Sequence, residues 1–353
     1  AQFDFGWERS IPVTAGPFKV DAVDPDTKTV TVSRDPKWWG RKPRLDRIVF
    51  SAIPTESQFT ALTHDQADFA NINPDVNSLT RAQAAAGVTV RKALGPTYRH
   101  LTFNGSAGSV LTDPRLRIAI QKAIDVRDIA QTQVGRVVPD PRPLGNHIFL
   151  DGQQGYVDNS AIAGYDPAAA EQMLDQLGWT RQGTETRRKD GKELLLRDVV
   201  PAQTPIADQE AREIKRSLSQ VGVTLVIDPV PPGDFFGRYL ARGDFDVTQF
   251  SWVGTVFPIS SKSAIYGVGS DDQQNFGGIG NETIDSLFAD ASAELDPKRK
   301  LDLADRIDKE IWKSGHSLLL YQRPDVVAVR SNVANFGAFG FADKIYTDIG
   351  FTK

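Results

Sequence analysis

Residues 208–227 read DQEAREIKRSLSQVGVTLVI, and the spacing of their apolar positions changes once, at Gly222. Before it, Ile214, Leu218 and Val221 recur at helical intervals; after it, Val223, Leu225 and Ile227 alternate with period two. A helix with one buried face that gives way directly to a strand is an αβ unit. Gly222 stands at the junction, where a left-handed C-cap suits a residue without Cβ.

The same alternation extends in both directions. Phe18–Val23 and Lys28–Arg34 read as two strands around the turn Asp24-Pro25-Asp26-Thr27, and Arg47–Ile53 reads as a third. Thr55 opens a short helical pattern with Phe59 and Leu62, Gln66–Ala70 returns to strand, 76–86 reads as helix, and Val88/Val90 and Tyr98–Phe103 look extended. Three further helices start with one device, an Asp N-cap followed by Pro: Asp113-Pro114, Asp166-Pro167 and Asp296-Pro297. The carboxylate accepts an orphan backbone N–H, and proline lacks only an N–H that has no helical partner. Strand and helix alternating throughout imply an α/β fold. Ser251–Gly280 stands apart, with no sustained period. It reads as a long irregular segment whose Trp252, Phe257, Tyr266 and Phe276 either line a pocket or pack beneath neighbouring elements.

With 353 residues, 40% of them hydrophobic, the chain can bury a core, and its length suggests about two domains. A net charge of −4, without basic blocks, argues against nucleic acid as a partner. The absence of cysteine excludes disulfides, thiolate metal sites and cysteine nucleophiles. No apolar run approaches the ~20 residues of a membrane span. The opening AQFDFGWERS has neither an initiator Met nor a signal-peptide pattern, and the expectation is a processed or truncated start.

Catalytic signatures are missing: there is no H-E-x-x-H, G-x-S-x-G, Walker loop or G-x-G-x-x-G. The four histidines, His64, His100, His147 and His316, are too scattered to suggest a metal pair and read as surface or satisfied core residues. Arg242-Gly243-Asp244 reads as a turn, and Arg187-Arg188-Lys189 before Asp190-Gly191 as a solvated hairpin tip. No catalytic residue, metal ligand or cofactor is assigned.

The order of several short motifs is nevertheless specific. Ala15-Gly16-Pro17-Phe18-Lys19-Val20, then Ser33-Arg34-Asp35-Pro36-Lys37-Trp38-Trp39-Gly40, then Pro43–Phe50 resemble the signature of family 5 extracellular solute-binding proteins of ABC importers, the oligopeptide, dipeptide and nickel-binding type. Gln66-Ala67-Asp68, the helix from Asp113-Pro114-Arg115-Leu116-Arg117 to Ala123-Ile124-Asp125, and Phe245-Asp246-Val247 to Trp252 are similar to further family motifs, in the family's order over roughly residues 12–350. The resemblance implies a periplasmic-binding-protein-like type II fold, a two-lobed hinged trap without chemistry of its own. By that template 1–103 is a partial lobe I, 104–333 is a complete lobe II, and 334–353 returns to lobe I. The crossings then fall near Asn104 and Val333, and residues 1–15 are expected to depend on partner contacts.

The implied ligand is an oligopeptide or other small polar molecule, the implied partner an ABC permease, and the implied location extracytoplasmic, as a periplasmic protein or a cell-surface lipoprotein, monomeric when complete. In peptide-binding relatives an aspartate three residues beyond the motif tryptophan pairs with the ligand ammonium; here that position is Thr255, which supplies no charge. The resemblance also places Trp252 as an aromatic platform, with core packing as the alternative. Gln249 is a candidate for ligand backbone groups or an exposed strand polar residue, and Tyr346 a cleft tyrosine or a lobe I core residue. Phe257, Tyr266 and Asn275 are further candidates from the irregular segment. Asp246 reads as structural. An alternative function is a secreted α/β hydrolase with a carboxylate pair.

Overall fold

The computed structural model describes residues 14–72, 76–269 and 274–352. Most of the segment expected to depend on partner contacts, residues 1–15, lies outside them. Two compact units emerge, one from the chain up to Ala93 together with the stretch from Asp325 onward, the other Leu94–Pro324.

The smaller unit begins with β1 (Phe18–Asp24), β2 (Thr29–Arg34) and β3 (Arg47–Ser51), an antiparallel sheet in that order. The β1–β2 turn forms as its sequence implies: the Asp24 carboxylate accepts the N–H groups of Asp26 and Thr27 at 2.9 and 3.1 Å. Next come α1 (Thr55–Thr63), β4 (Phe69–Asn71), α2 (Val76–Ala84) and β5 (Val88–Phe103), a single long strand in which the unit boundary falls.

The larger unit continues with α3 (Pro114–Ala123), α4 (Val126–Val134), α5 (Pro167–Gln176) and a hairpin of β6 (Arg188–Lys189) and β7 (Lys192–Glu193). It is completed by β8 (Leu195–Pro201), α6 (Pro205–Gln220), β9 (Thr224–Val230), β10 (Val247–Val253), α7 (Pro258–Tyr266), α8 (Glu282–Ala293), α9 (Pro297–Ser314) and β11 (Ser317–Arg330). Its sheet runs β11-β5-β10-β8-β9, with β8 parallel to β9 and β10 antiparallel to β5. The αβ unit of the opening stretch is α6–β9, and Gly222 takes φ 78° at its junction. The three Asp-Pro helices start as expected: Asp113, Asp166 and Asp296 accept the N–H of Arg115, Ala169 and Arg299 at 2.9, 2.9 and 2.8 Å. β11 carries the chain back into the smaller unit, where Val327–Val329 pair with β4 and β12 (Val333–Ala334) pairs with β13 (Gly350–Phe351).

Two sequence readings change. Ser251–Gly280 is not a continuous loop, because α7 occupies nine residues of it. Its buried stripe is Ile259, Lys262, Ile265 and Tyr266, so a lysine in a core position hides the helical period. Arg187 is not part of a solvated tip; it is buried, donating to Val221 O at 2.6 Å and Trp179 O at 2.7 Å and paired with Asp175. The Arg242-Gly243-Asp244 turn stands, with Gly243 at φ 65°. Among the described residues no helix is long and apolar enough to cross a membrane.

Candidate functional site

The register of β10 against β5 decides which side chains can meet. Trp252 lies opposite Tyr98 and Phe250 opposite His100, while Ser251 lies opposite Arg99. Because strand side chains alternate, Trp252, Phe250, Tyr98 and His100 share one face, and Gln249, Ser251 and Arg99 share the other.

On the first face the rings form a tier. His100 stacks on Trp252 at 6.0 Å and 15°, Trp252 stacks on Phe276 at 6.2 Å and 4°, and Phe250 meets Trp252 edge-on at 5.2 Å. Phe236 approaches Phe250 at 5.6 Å and Phe276 at 6.3 Å, and remains 50% exposed. Each such pair contributes about 0.5–1.5 kcal/mol beyond burial, so the rings of the tier support one another. Trp252 is partly buried and serves both alternatives, packing against two core clusters while keeping an accessible part.

Immediately beyond, Thr255 organises the entry to α7. Its hydroxyl accepts the Phe257 N–H at 3.1 Å and donates to Ser261 Oγ at 3.1 Å, and its carbonyl accepts from Gln153 Nε2 at 3.1 Å. Gly254 N–H is anchored on Pro96 O at 2.6 Å. The fixed backbone carries Val256 and Phe257 outward, with Phe257 73% exposed. Trp252, Thr255 and Phe257 thus belong to one strand-to-helix corner in the larger unit.

The other candidates lie elsewhere. Gln249 is fully buried on the opposite face, its Nε2 donating to Ala207 O at 3.2 Å and Asp198 Oδ2 at 3.3 Å; it is neither an exposed strand residue nor a neighbour of the tier. Tyr266 is buried on α7, edge-on to His147 at 5.4 Å and to His316 at 4.8 Å. Asn275 clips its own loop, donating to Gly267 O at 3.0 Å and Ile279 O at 2.7 Å; its neighbour Phe276 supplies the ring at the tier. Tyr346 belongs to the smaller unit, packed on the Val327–Phe336–Ile349 cluster and edge-on to Phe50 at 6.4 Å. Asp246 is structural, its carboxylate accepting the Arg197 N–H at 2.8 Å.

Several buried ionisable groups around the corner escaped the sequence reading. Lys262, 1% exposed, donates from Nζ to Tyr98 Oη at 2.6 Å and sits 4.4 Å above that ring; burial pushes its ammonium down to about 7. His100 is buried with both ring nitrogens unpartnered among the described residues, and burial holds it well below the usual histidine range. It is therefore a buried but unsatisfied core histidine, whereas His147 is satisfied by Asp308 at 2.8 Å. On the opposite face Glu210 pairs with Arg99 and accepts from Tyr321 Oη at 2.7 Å, and burial pushes the neighbouring Asp198 carboxyl up to about 8. One signal was available: Lys262 stands three residues from both Ile259 and Ile265, on the apolar stripe of a helix.

An aromatic tier beside a pinned corner with exposed apolar residues suits stacking and apolar recognition. Among the described residues there is no group of three His, Asp or Glu that could hold a metal ion.

Comparison with known proteins gives the family. The sequence model of "Bacterial extracellular solute-binding proteins, family 5 Middle" matches residues 1–274. The oligopeptide-binding protein OppA of Mycobacterium tuberculosis H37Rv is 42% identical over 341 residues, 96% of this chain and 57% of the relative. The dipeptide-binding protein of Escherichia coli K12 is 20% identical over 91% of this chain and 56% of its own length. The chain thus spans a little over half the length of these curated relatives. Among solved structures, a periplasmic EDTA-binding protein EppA superposes with a TM-score of 0.86 at 23% identity, covering 96% of this chain and 64% of that one. Lactococcal OppA, complexed with an endogenous peptide in the closed conformation, gives 0.74 at 18% identity over 95% of this chain and 65% of that one. The fold is periplasmic-binding-protein-like, type II, and the chain belongs to the family 5 bacterial extracellular solute-binding proteins.

Proposed function

We propose that this chain is part of the substrate-binding component of an ABC importer, capturing a peptide or peptide-like ligand outside the cytoplasm and delivering it to a membrane permease. The observation that carries the reading is the corner built by Trp252, Phe276, Thr255 and Phe257 in a chain 42% identical to an oligopeptide-binding protein. Stacked rings offer apolar area to side chains of many kinds, and a pinned backbone loses little entropy on binding. The division of the chain into lobe I and lobe II near Asn104 and Val333 belongs to the same proposal. So does its location as a periplasmic protein or surface lipoprotein.

Thr255 shapes the expected ligand. Its hydroxyl is already engaged in the α7 turn and carries no charge, so a free α-ammonium gains no ion pair there. Peptides with blocked N-termini should therefore bind about as well as free ones. Nothing favours the hydrolase alternative: Asp198, whose carboxyl burial raises, is fully buried in the sheet–helix core and offers no surface to a substrate. Titration of tryptophan fluorescence with a nonapeptide and its N-acetylated form tests the reading. Saturable binding of both with similar affinity is expected; no saturable change with either counts against it.

A further inference from the structure

The ring tier is open at one end. His100, Trp252 and Phe276 follow one another as stacked rings, and Phe236 extends the series 6.3 Å from Phe276, its plane tilted by 47°. Phe236 is braced edge-on by Phe235 at 5.0 Å and by Phe250 at 5.6 Å. Its outer side is free: the residue is 50% exposed, and a Cβ built on the adjoining Gly237 would meet no atom within 4 Å. The local backbone holds it there. Phe235–Tyr239 forms a single turn of π-helix, closed by the Tyr239 N–H on Asp234 O at 3.4 Å. Such turns are rare and concentrate at functional sites. Phe235 is buried in a core cluster with Val199, Val230 and Leu240, so the turn anchors one ring in the core and leaves the next outside.

We propose that Phe236 is a specificity-determining residue, and that an aromatic side chain of the bound peptide completes the tier against it. This rests on the importer reading and deepens it by naming the class of side chain taken at the corner. Apolar area alone serves aliphatic and aromatic side chains alike. A ligand ring adds the quadrupole attraction of edge-on or offset contact, because the open rim of the tier is itself made of rings. The turn favours neither sign of charge, since Asp234 and Arg238 pair across it at 3.6 Å. A neutral ring therefore suits the place better than a charged side chain.

The test uses two series of alanine–serine nonapeptides, one carrying a single phenylalanine at each position in turn, the other a single cyclohexylalanine. Cyclohexylalanine keeps the six-carbon ring and its apolar area and lacks the π-system. Tryptophan fluorescence titration of the whole chain should show, at one position, phenylalanine preferred about three- to ten-fold, and Phe236→Leu should bind both series but without the preference. Saturable binding with no such preference at any position overturns this inference alone, as does a preference that persists in the variant. No saturable binding of any peptide overturns the importer reading and this inference with it. Should the variant not fold, intermolecular NOEs in the complex of the unaltered chain decide. Cross-peaks between the ligand ring and Phe236 support the assignment, and their absence from a saturated complex overturns it.

Discussion

Lys262→Met is the substitution whose consequence follows most directly from the structure. Lys262 is buried on α7, bonded through Nζ, among the described residues, to Tyr98 Oη alone, and burial brings its ammonium from 10.5 down to about 7. The depressed value belongs to the folded state. The unfolded chain therefore holds this proton up to its ordinary value while the folded chain releases it near pH 7. Stability from this group is present in full above 10.5 and is lost as pH falls toward 7, by at most about 1.4 kcal/mol per pH unit. Between pH 7 and pH 9 the change amounts to about 2 kcal/mol, because the first part of the window lies within the folded-state titration. Methionine fills a similar volume without a proton to exchange. Urea unfolding followed by far-UV circular dichroism at pH 7, 8 and 9 should show the variant losing about 2 kcal/mol relative to the unaltered chain as pH rises, because only the latter gains from Lys262. A difference between the two that stays constant across pH would show that Lys262 is not held neutral in the core, and would refute the reasoning.

Other outcomes follow from single features. Asp198→Asn should remove a pH dependence of opposite sign: the folded carboxyl titrates near 8, so its contribution is full below about 4 and falls by about 1.4 kcal/mol per pH unit until pH 8, a trend absent from the variant's denaturation curves. Thr255→Asp keeps an oxygen to accept the Phe257 N–H and adds the missing charge, so fluorescence titration should show a free nonapeptide gaining about ten-fold over its N-acetylated form. An unchanged ratio would detach Thr255 from the ligand. Asp296→Ala should cost about 1 kcal/mol in thermal or urea unfolding through loss of the α9 N-cap. Trp252→Ala should weaken peptide binding at least ten-fold with the far-UV spectrum retained; undiminished binding would restrict the tier to packing.

What the sequence made legible was local. The Asp-Pro caps, the Asp24 turn and the Gly222 junction depend on residues a few positions apart, so composition and spacing suffice to read them. α7 was hidden because Lys262 fills a core position, where its ammonium meets the Tyr98 hydroxyl, 164 residues away in sequence. Arg187 read as a solvated basic residue because its partners, Val221 and Trp179, join it only on folding. Within the site, Trp252 and Thr255 sit at a corner legible from the motif. The three-residue separation of Gln249 and Trp252 on one strand already implies opposite faces, a consequence of strand parity that a candidate list by proximity overlooks. His100, the ring beneath Trp252, comes from another strand and had no local signal.

The central claim is capture without chemistry. Native mass spectrometry of the chain equilibrated with a defined oligopeptide mixture, followed by release of whatever it retains, tests that claim most directly. The account predicts a one-to-one complex whose released peptide has its starting mass. Retention of no peptide by the folded chain would contradict it, as would recovery of shortened peptides.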